Sequence, residues 1–171
     1  MLAVLPGSSW AQRLAPTPAD PLQFNGIGPL LIGADLKSAV IHARVLDPTA
    51  LPAGPGCDGR DEFALRIKLS GEPVVAMAMA DTSGKIEEII IEADSLNRAR
   101  TADSAACLEL AKGFATRFHA ALGPYPTISS EQKPATVEYR LNFTSGPSVR
   151  VRWFRGGGHC DFALYIVQDR D

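Results

Sequence analysis

The fold is decided by residues 63–93, which read FALRIKLSGEPVVAMAMADTSGKIEEIIIEA. From Phe63 to Leu69, apolar residues alternate with charged or small ones, which is the period of a half-buried strand. After a short turn, residues 74–80 are apolar on both faces of a second strand, so something should cover each of its sides. A second short turn leads to a third strand over residues 86–93. Consecutive strands joined by such turns predict an antiparallel meander.

A capped helix precedes these strands, and a longer helix with three more strands follows them. Asp35 can cap the first helix, which must stop before Pro48. The second helix is predicted to begin at Asp103 or Ser104 and to end at Gly123, because glycine accepts the backbone conformation that ends a helix. The three later strands follow from alternating apolar positions in residues 137–143, 149–153 and 162–166.

This order of elements predicts the α+β class. The expected fold is a duplicated helix plus three-stranded antiparallel meander, with the helices packed on one face of the sheet. The half-repeats cover roughly residues 33–95 and 101–169, inside a single α+β domain of residues 22–171. Periodicity identifies strands but not their neighbours, so the sequence leaves open whether the six strands form one sheet.

The composition is that of one globular domain. The chain has 171 residues, of which 46% are hydrophobic and 21% charged, and its net charge is -2. Proteins that bind nucleic acid over much of their surface carry a strong positive charge, so no nucleic-acid partner is expected here. No apolar run is long enough to span a membrane.

The first 21 residues are predicted to be a signal-peptide remnant and a Pro-rich leader. Met1 to Leu5 is apolar, and the small residues Ser9 and Ala11 occupy the two positions that a signal peptidase inspects. The segment lacks a positively charged start, and an ordinary disordered tail is the alternative. Export predicts a periplasmic or secreted protein.

Three cysteines allow three possible bridges. We favour a disulfide between Cys107, which opens the long helix, and Cys160, which opens the last strand. Closing that loop would contribute about 3–4 kcal/mol to stability. Cys57 is then left over, either buried or available to another chain. In a cytosolic protein all three thiols would be reduced.

The stretch GIGPLLIGADL, residues 26–36, is similar to a phrase found in small bacterial envelope proteins. With the duplicated order of helix and strands, the chain resembles the SmpA/OmlA outer-membrane lipoproteins and the β-lactamase-inhibitor-protein-like fold. It lacks the acylated N-terminal cysteine of the lipoproteins. The resemblance implies a periplasmic, non-enzymatic protein that binds other proteins, and it assigns no functional residues.

The segment from Gly156 to Asp161, GGGHCD, combines a glycine run with potential catalytic groups. It lies between two predicted strands, where a hairpin turn beside a structural disulfide is the expected role. No pair of histidines has the spacing of metal ligands, so no metal or cofactor is predicted. An enzyme would have to assemble its site in three dimensions, with His119, His159 and Asp161 as candidate participants.

Four arginines form the candidate binding surface: Arg140, Arg150, Arg152 and Arg155. Period-2 geometry places Arg150 and Arg152 on one face of a strand, with Arg140 on the neighbouring strand. Clustered like charges favour an anionic partner. Glu138 on the same face favours a mixed, solvated surface as the alternative.

The sequence is compatible with three functions and favours a non-catalytic one. The first is an exported binding protein of the inhibitor or envelope accessory type, whose partner is another protein or an anionic envelope component. The alternative is a small periplasmic enzyme, and an intracellular structural protein is a third possibility. The sequence predicts no oligomeric state.

Overall fold

The computed structural model describes residues 22–69, 71–93, 99–125 and 127–167. Its strands are β1 (Leu22–Gln23), β2 (Gly26–Ile27), β3 (Leu30–Leu31), β4 (Gly54–Pro55), β5 (Asp61–Leu69), β6 (Glu72–Ala80), β7 (Ile86–Ala93), β8 (Ala99–Arg100), β9 (Thr127–Gln132), β10 (Thr136–Asn142), β11 (Ser148–Phe154) and β12 (His159–Val167). Its helices are α1 (Leu36–Leu46), α2 (Ser104–Thr116) and α3 (His119–Leu122). The predicted leader, residues 1–21, lies outside the described residues.

One antiparallel sheet of nine strands dominates the molecule. Its order is β4-β5-β6-β7-β12-β11-β10-β9, and β8 pairs with β12 beside β7. Strands β1, β2 and β3 form a separate three-stranded sheet. The predicted antiparallel pairing is confirmed.

The predicted α+β class, a duplicated helix plus three-stranded meander with the helices packed on one face of the sheet, is wrong. The described part of the chain is mostly β, and its three helices have only 11, 13 and 4 residues. Strands β4, β8 and β9 are too short or too exposed to leave an apolar alternation in the sequence. The strands also join edge to edge through β7 and β12, where Leu164 lies opposite Ile91. The six predicted strands therefore lie in one sheet, a point that the sequence leaves open.

The alternation in residues 63–93 gives the sheet an inner face that carries the core. Ala76 of β6 lies opposite Leu65 on one side and Ile91 on the other, and all three are fully buried. The opposite side is called the outer face here. On β6 it carries Val75 and Met77, which are half-buried.

Both main helices begin at the predicted aspartates. The Asp35 carboxylate accepts a hydrogen bond from the Ser38 backbone N–H, and the Asp103 carboxylate accepts one from that of Ala106. The predicted end at Gly123 is confirmed, since Gly123 caps α3 with a φ of 74°. The prediction of a single unbroken helix up to this residue is wrong. Helix α2 ends at Thr116 in a tight turn, because the next N–H groups bond to carbonyls three residues back.

Helix α2 is fixed to the inner face by a disulfide and an aromatic contact. Cys107 and Cys160 are both fully buried and joined in the disulfide that the sequence favours, with their Cα atoms 5.4 Å apart. The rings of Phe114 and Phe162 pack with their centroids 5.2 Å apart. Cys57 is an exposed thiol in the β4–β5 turn. In the described part of the chain, no helix combines the length and apolar character needed to cross a membrane.

Candidate binding groove

A groove of about 440 Å³ lies on the outer face of the sheet, across β9, β10, β11 and β12. It is built by strand register. Ser129 of β9 lies opposite Arg140 of β10, which lies opposite Arg150 of β11, which lies opposite Ala163 of β12. Adjacent strands are about 4.8 Å apart, so these side chains form a continuous row on one surface.

Arg140 and Arg150 are placed in direct cross-strand opposition. Their Cβ atoms are therefore about 5 Å apart, a separation at which like charges repel. Neither arginine forms an ion pair with a carboxylate of the described residues. This row is the part of the groove where positive charge is left uncompensated.

Arg150 is held in place by an aromatic ring instead of a carboxylate. Its guanidinium carbon lies 4.0 Å from the centroid of the Tyr165 ring, a cation–π contact. The Nε atom of Arg150 is buried and has no hydrogen-bond acceptor within the described part of the chain. Burial raises the pKa of Tyr165, and the positive charge of Arg150 opposes that rise only in part.

Arg152 has a different environment, because an acid neutralises it. Its Nε donates to the Glu138 carboxylate over 3.2 Å, and the Lys133 ammonium donates to the other oxygen of that carboxylate over 2.8 Å. The hydrogen bond from Lys133, more than any other interaction, holds the pKa of Glu138 below its usual range. The solvated, mixed surface expected as an alternative describes this corner of the groove well.

Arg155 is the one predicted arginine that does not line the groove. It is exposed in the β11–β12 turn, where its guanidinium donates to the side chain of Gln132 over 3.4 Å. The other three predicted arginines are brought together.

Acids slightly outnumber bases along the groove. Three guanidinium groups line it, those of Arg140, Arg150 and Arg152. Four carboxylates also line it, those of Glu92, Glu131, Glu138 and Asp161. The groove is therefore locally cationic at Arg140 and Arg150 but is not a basic surface as a whole.

An apolar strip continues from the cationic row along the outer face. Tyr165 lies opposite Ile90 of β7, which lies opposite Met77 of β6. All three side chains are half-buried, as is Val75 beside Met77. Farther along, Arg60 donates to the sulfur of Met79 over 3.4 Å, so that residue is covered. The sequence predicts that both faces of β6 are covered by other residues. On the outer face, this holds for Met79, whereas Met77 stays partly exposed.

The two histidines among the candidate catalytic residues lie far apart, whereas Asp161 follows His159 by two residues on β12. His119 of α3 packs on Tyr125 and Phe143, at the end of β10 that faces the start of β11. His159 begins β12 opposite Phe154, the last residue of β11. The seven residues of β11 lie between these two positions, a span of about 20 Å. Among the described residues, no group of three or more acids, histidines and cysteines could hold a metal ion.

Sequence reasoning found the arginines but missed most of their neighbours. Tyr165, Glu92 and Ser129 belong to three different strands, and the groove exists only because β12 pairs with both β7 and β11 and because β9 adds to β10. Tyr165 could have been suspected from the sequence, since it is an aromatic residue on the outward-facing positions of β12, in line with His159 and Asp161.

Comparisons of the chain with protein-family models, with curated proteins and with solved structures gave no match. The resemblance to the SmpA/OmlA lipoproteins and to the β-lactamase-inhibitor-protein-like fold therefore stays a prediction.

Proposed function

We propose that this chain is an exported, non-catalytic binding protein that docks another protein on the outer face of its sheet. The observation that carries the proposal is the pair of opposed arginines, Arg140 and Arg150, which have no carboxylate partner in the described part of the chain. Charged groups placed without partners weaken a fold slightly, and they strengthen binding to a partner of opposite charge.

Two further features support the proposal. The groove is open and joined to an apolar strip, as protein-binding surfaces combine polar and apolar area. The disulfide between Cys107 and Cys160 supports export, because such bonds persist in oxidising compartments.

Site-specific photocrosslinking tests this proposal. A photoreactive amino acid is placed at Ser129, which is exposed in the groove, or at the matched control Thr116, which is exposed on α2. The full chain is then irradiated in an envelope extract of its source cells. We expect Ser129 to yield one protein adduct that Thr116 does not yield, and the purified pair to associate in calorimetry.

Adducts formed from Thr116 alone would contradict the proposal, because they would place the partner on the helix side. Turnover of a substrate by the purified chain, lost on substitution of His119 or His159, would favour the enzyme instead.

A further inference from the structure

We infer that Arg140 and Arg150 form a carboxylate-recognition site, which takes one acidic side chain of the partner while an adjacent apolar side chain of the partner lies on the strip of Tyr165, Ile90 and Met77. This inference rests on the proposed function and specifies the chemistry that the partner must present. It concerns a segment of protein that carries single carboxylates, not a phosphorylated or polyanionic ligand.

The geometry of Arg150 is the first step. The Tyr165 ring lies under its guanidinium at 4.0 Å, so one face of the group is occupied and its orientation is restricted. A guanidinium is planar and presents its N–H groups at its edge, which matches the two oxygens of a carboxylate. Because the ring fixes the plane in advance, less side-chain entropy is lost when an anion binds.

The opposition of Arg140 is the second step. Arg140 lies directly opposite Arg150 on the same face of the neighbouring strand, and it forms no ion pair with an acid of the described residues. An anion placed between the two guanidinium groups would interact with both and remove their repulsion. Arg152 does not contribute in the same way, because Glu138 already neutralises it.

The remaining charges decide which anion fits. Three guanidinium groups and four carboxylates line the groove, so it has no excess of positive charge with which to balance a ligand of high negative charge. A phosphate group carries about -1.5 to -2 charges, whereas a carboxylate carries one, so the carboxylate suffers less repulsion. The same balance disfavours nucleic acid and anionic membranes, whose binding requires several uncompensated basic groups.

The apolar strip determines what accompanies the carboxylate. Tyr165 touches Arg150, and Ile90 and Met77 extend from it at successive strand spacings of about 4.8 Å. An apolar side chain next to the bound acid in the partner's sequence is long enough to span one such spacing and contact the strip. The occupant is therefore a protein segment in which an aspartate or glutamate has apolar neighbours.

The test is a titration of the purified full chain with short blocked peptides, followed by NMR of the Arg150 Nε–H and the Tyr165 ring. The probe is acetyl-leucyl-glutamyl-leucinamide. Its controls replace the glutamyl residue with glutaminyl or with phosphoseryl, or both leucyl residues with glycyl. We expect the glutamyl probe to shift both signals. The glutaminyl and glycyl controls should bind at least about tenfold more weakly, because they lose a charge-assisted hydrogen bond or the apolar contact. The phosphoseryl control should also bind more weakly than the glutamyl probe, because the groove has no excess of positive charge to balance a second negative charge.

Variants of the chain complete the test. Replacing both arginines, R140Q/R150Q, should weaken the glutamyl probe at least about tenfold, while the matched control R155Q, outside the groove, should leave its affinity unchanged. The carboxylate site would be overturned if the glutaminyl or the phosphoseryl probe bound as tightly as the glutamyl probe or more tightly, or if neither NMR signal responded.

The two proposals fail separately. If the partner crosslinked from Ser129 binds R140Q/R150Q as tightly as the native chain, the docking surface stands and the carboxylate site is overturned. If the glutamyl probe binds but Ser129 yields no protein adduct, the carboxylate site stands and protein docking is overturned.

Discussion

Arg150 lies under two constraints that act in opposite directions. Arg140 faces it across the strand pair and raises its energy, while the Tyr165 ring at 4.0 Å lowers it. The repulsive term is expected to be about 0.2–1 kcal/mol, and the attractive one about 0.5–1 kcal/mol at a partly exposed position. A residue pair of this kind costs the fold little and is poised to bind an anion.

The repulsion can be measured directly with a double-mutant cycle. We expect R140Q, R150Q and the double variant to give a repulsive coupling energy of about 0.2–1 kcal/mol in urea unfolding at low salt. The coupling should shrink as salt is added, because partly exposed charges are screened. A control cycle of R140Q with R155Q should give no coupling. An attractive coupling between Arg140 and Arg150 would show that an acid already bridges them.

The contact with Tyr165 has its own pH signature. Burial raises the pKa of this phenol, and the positive charge of Arg150 lowers it in part. The variant R150M should therefore raise the pKa of Tyr165 further, which phenolate absorbance measures. The control R155M should leave that pKa unchanged. Because the folded pKa exceeds the unfolded one, the stability that this residue contributes is present below the unfolded value and is lost as pH rises through the folded pKa. A pKa that falls in R150M would contradict the stacked geometry.

At the scale of elements, the sequence predicts the strands that bury one face and misses the strands that depend only on pairing with a neighbour. Strands β5, β6 and β7 are found because an inner face is buried at every second residue. Strand β9 is missed because all six of its residues are exposed, so nothing in TISSEQ alternates in burial. It exists because β10 offers a free edge to pair with.

The same distinction explains how much of the groove could be predicted. Period 2 is sufficient to place Arg150 and Arg152 on one face of β11. Adding Tyr165 requires the register between β11 and β12, and adding Glu92 requires the long-range pairing of β12 with β7. Neither is encoded in local spacing. The correct aspartate caps of α1 and α2, by contrast, depend only on a side chain reaching the backbone three residues ahead.

At the scale of the whole molecule, one covalent bond connects the long helix to the middle of the sheet. Strand β12 pairs with β7, β8 and β11, so it joins the earlier strands to the later ones. Cys160 fixes this strand to Cys107 at the start of α2, across 53 positions of the chain. Both sulfurs lie in the core, away from the groove on the outer face.

The disulfide should therefore stabilise the fold without affecting ligand binding in the groove. In the chain-entropy account, closing a loop of this length lowers the free energy of folding by about 4 kcal/mol. We expect C107A/C160A to lose about that amount in chemical denaturation, and a reductant to produce a comparable loss in the native chain. The matched control C57A removes the exposed thiol and should unfold as the native chain does. At temperatures where C107A/C160A remains folded, the NMR shifts of Tyr165 on adding the glutamyl probe should be retained. Unchanged stability of C107A/C160A would mean that noncovalent packing in the core alone holds α2 on β12.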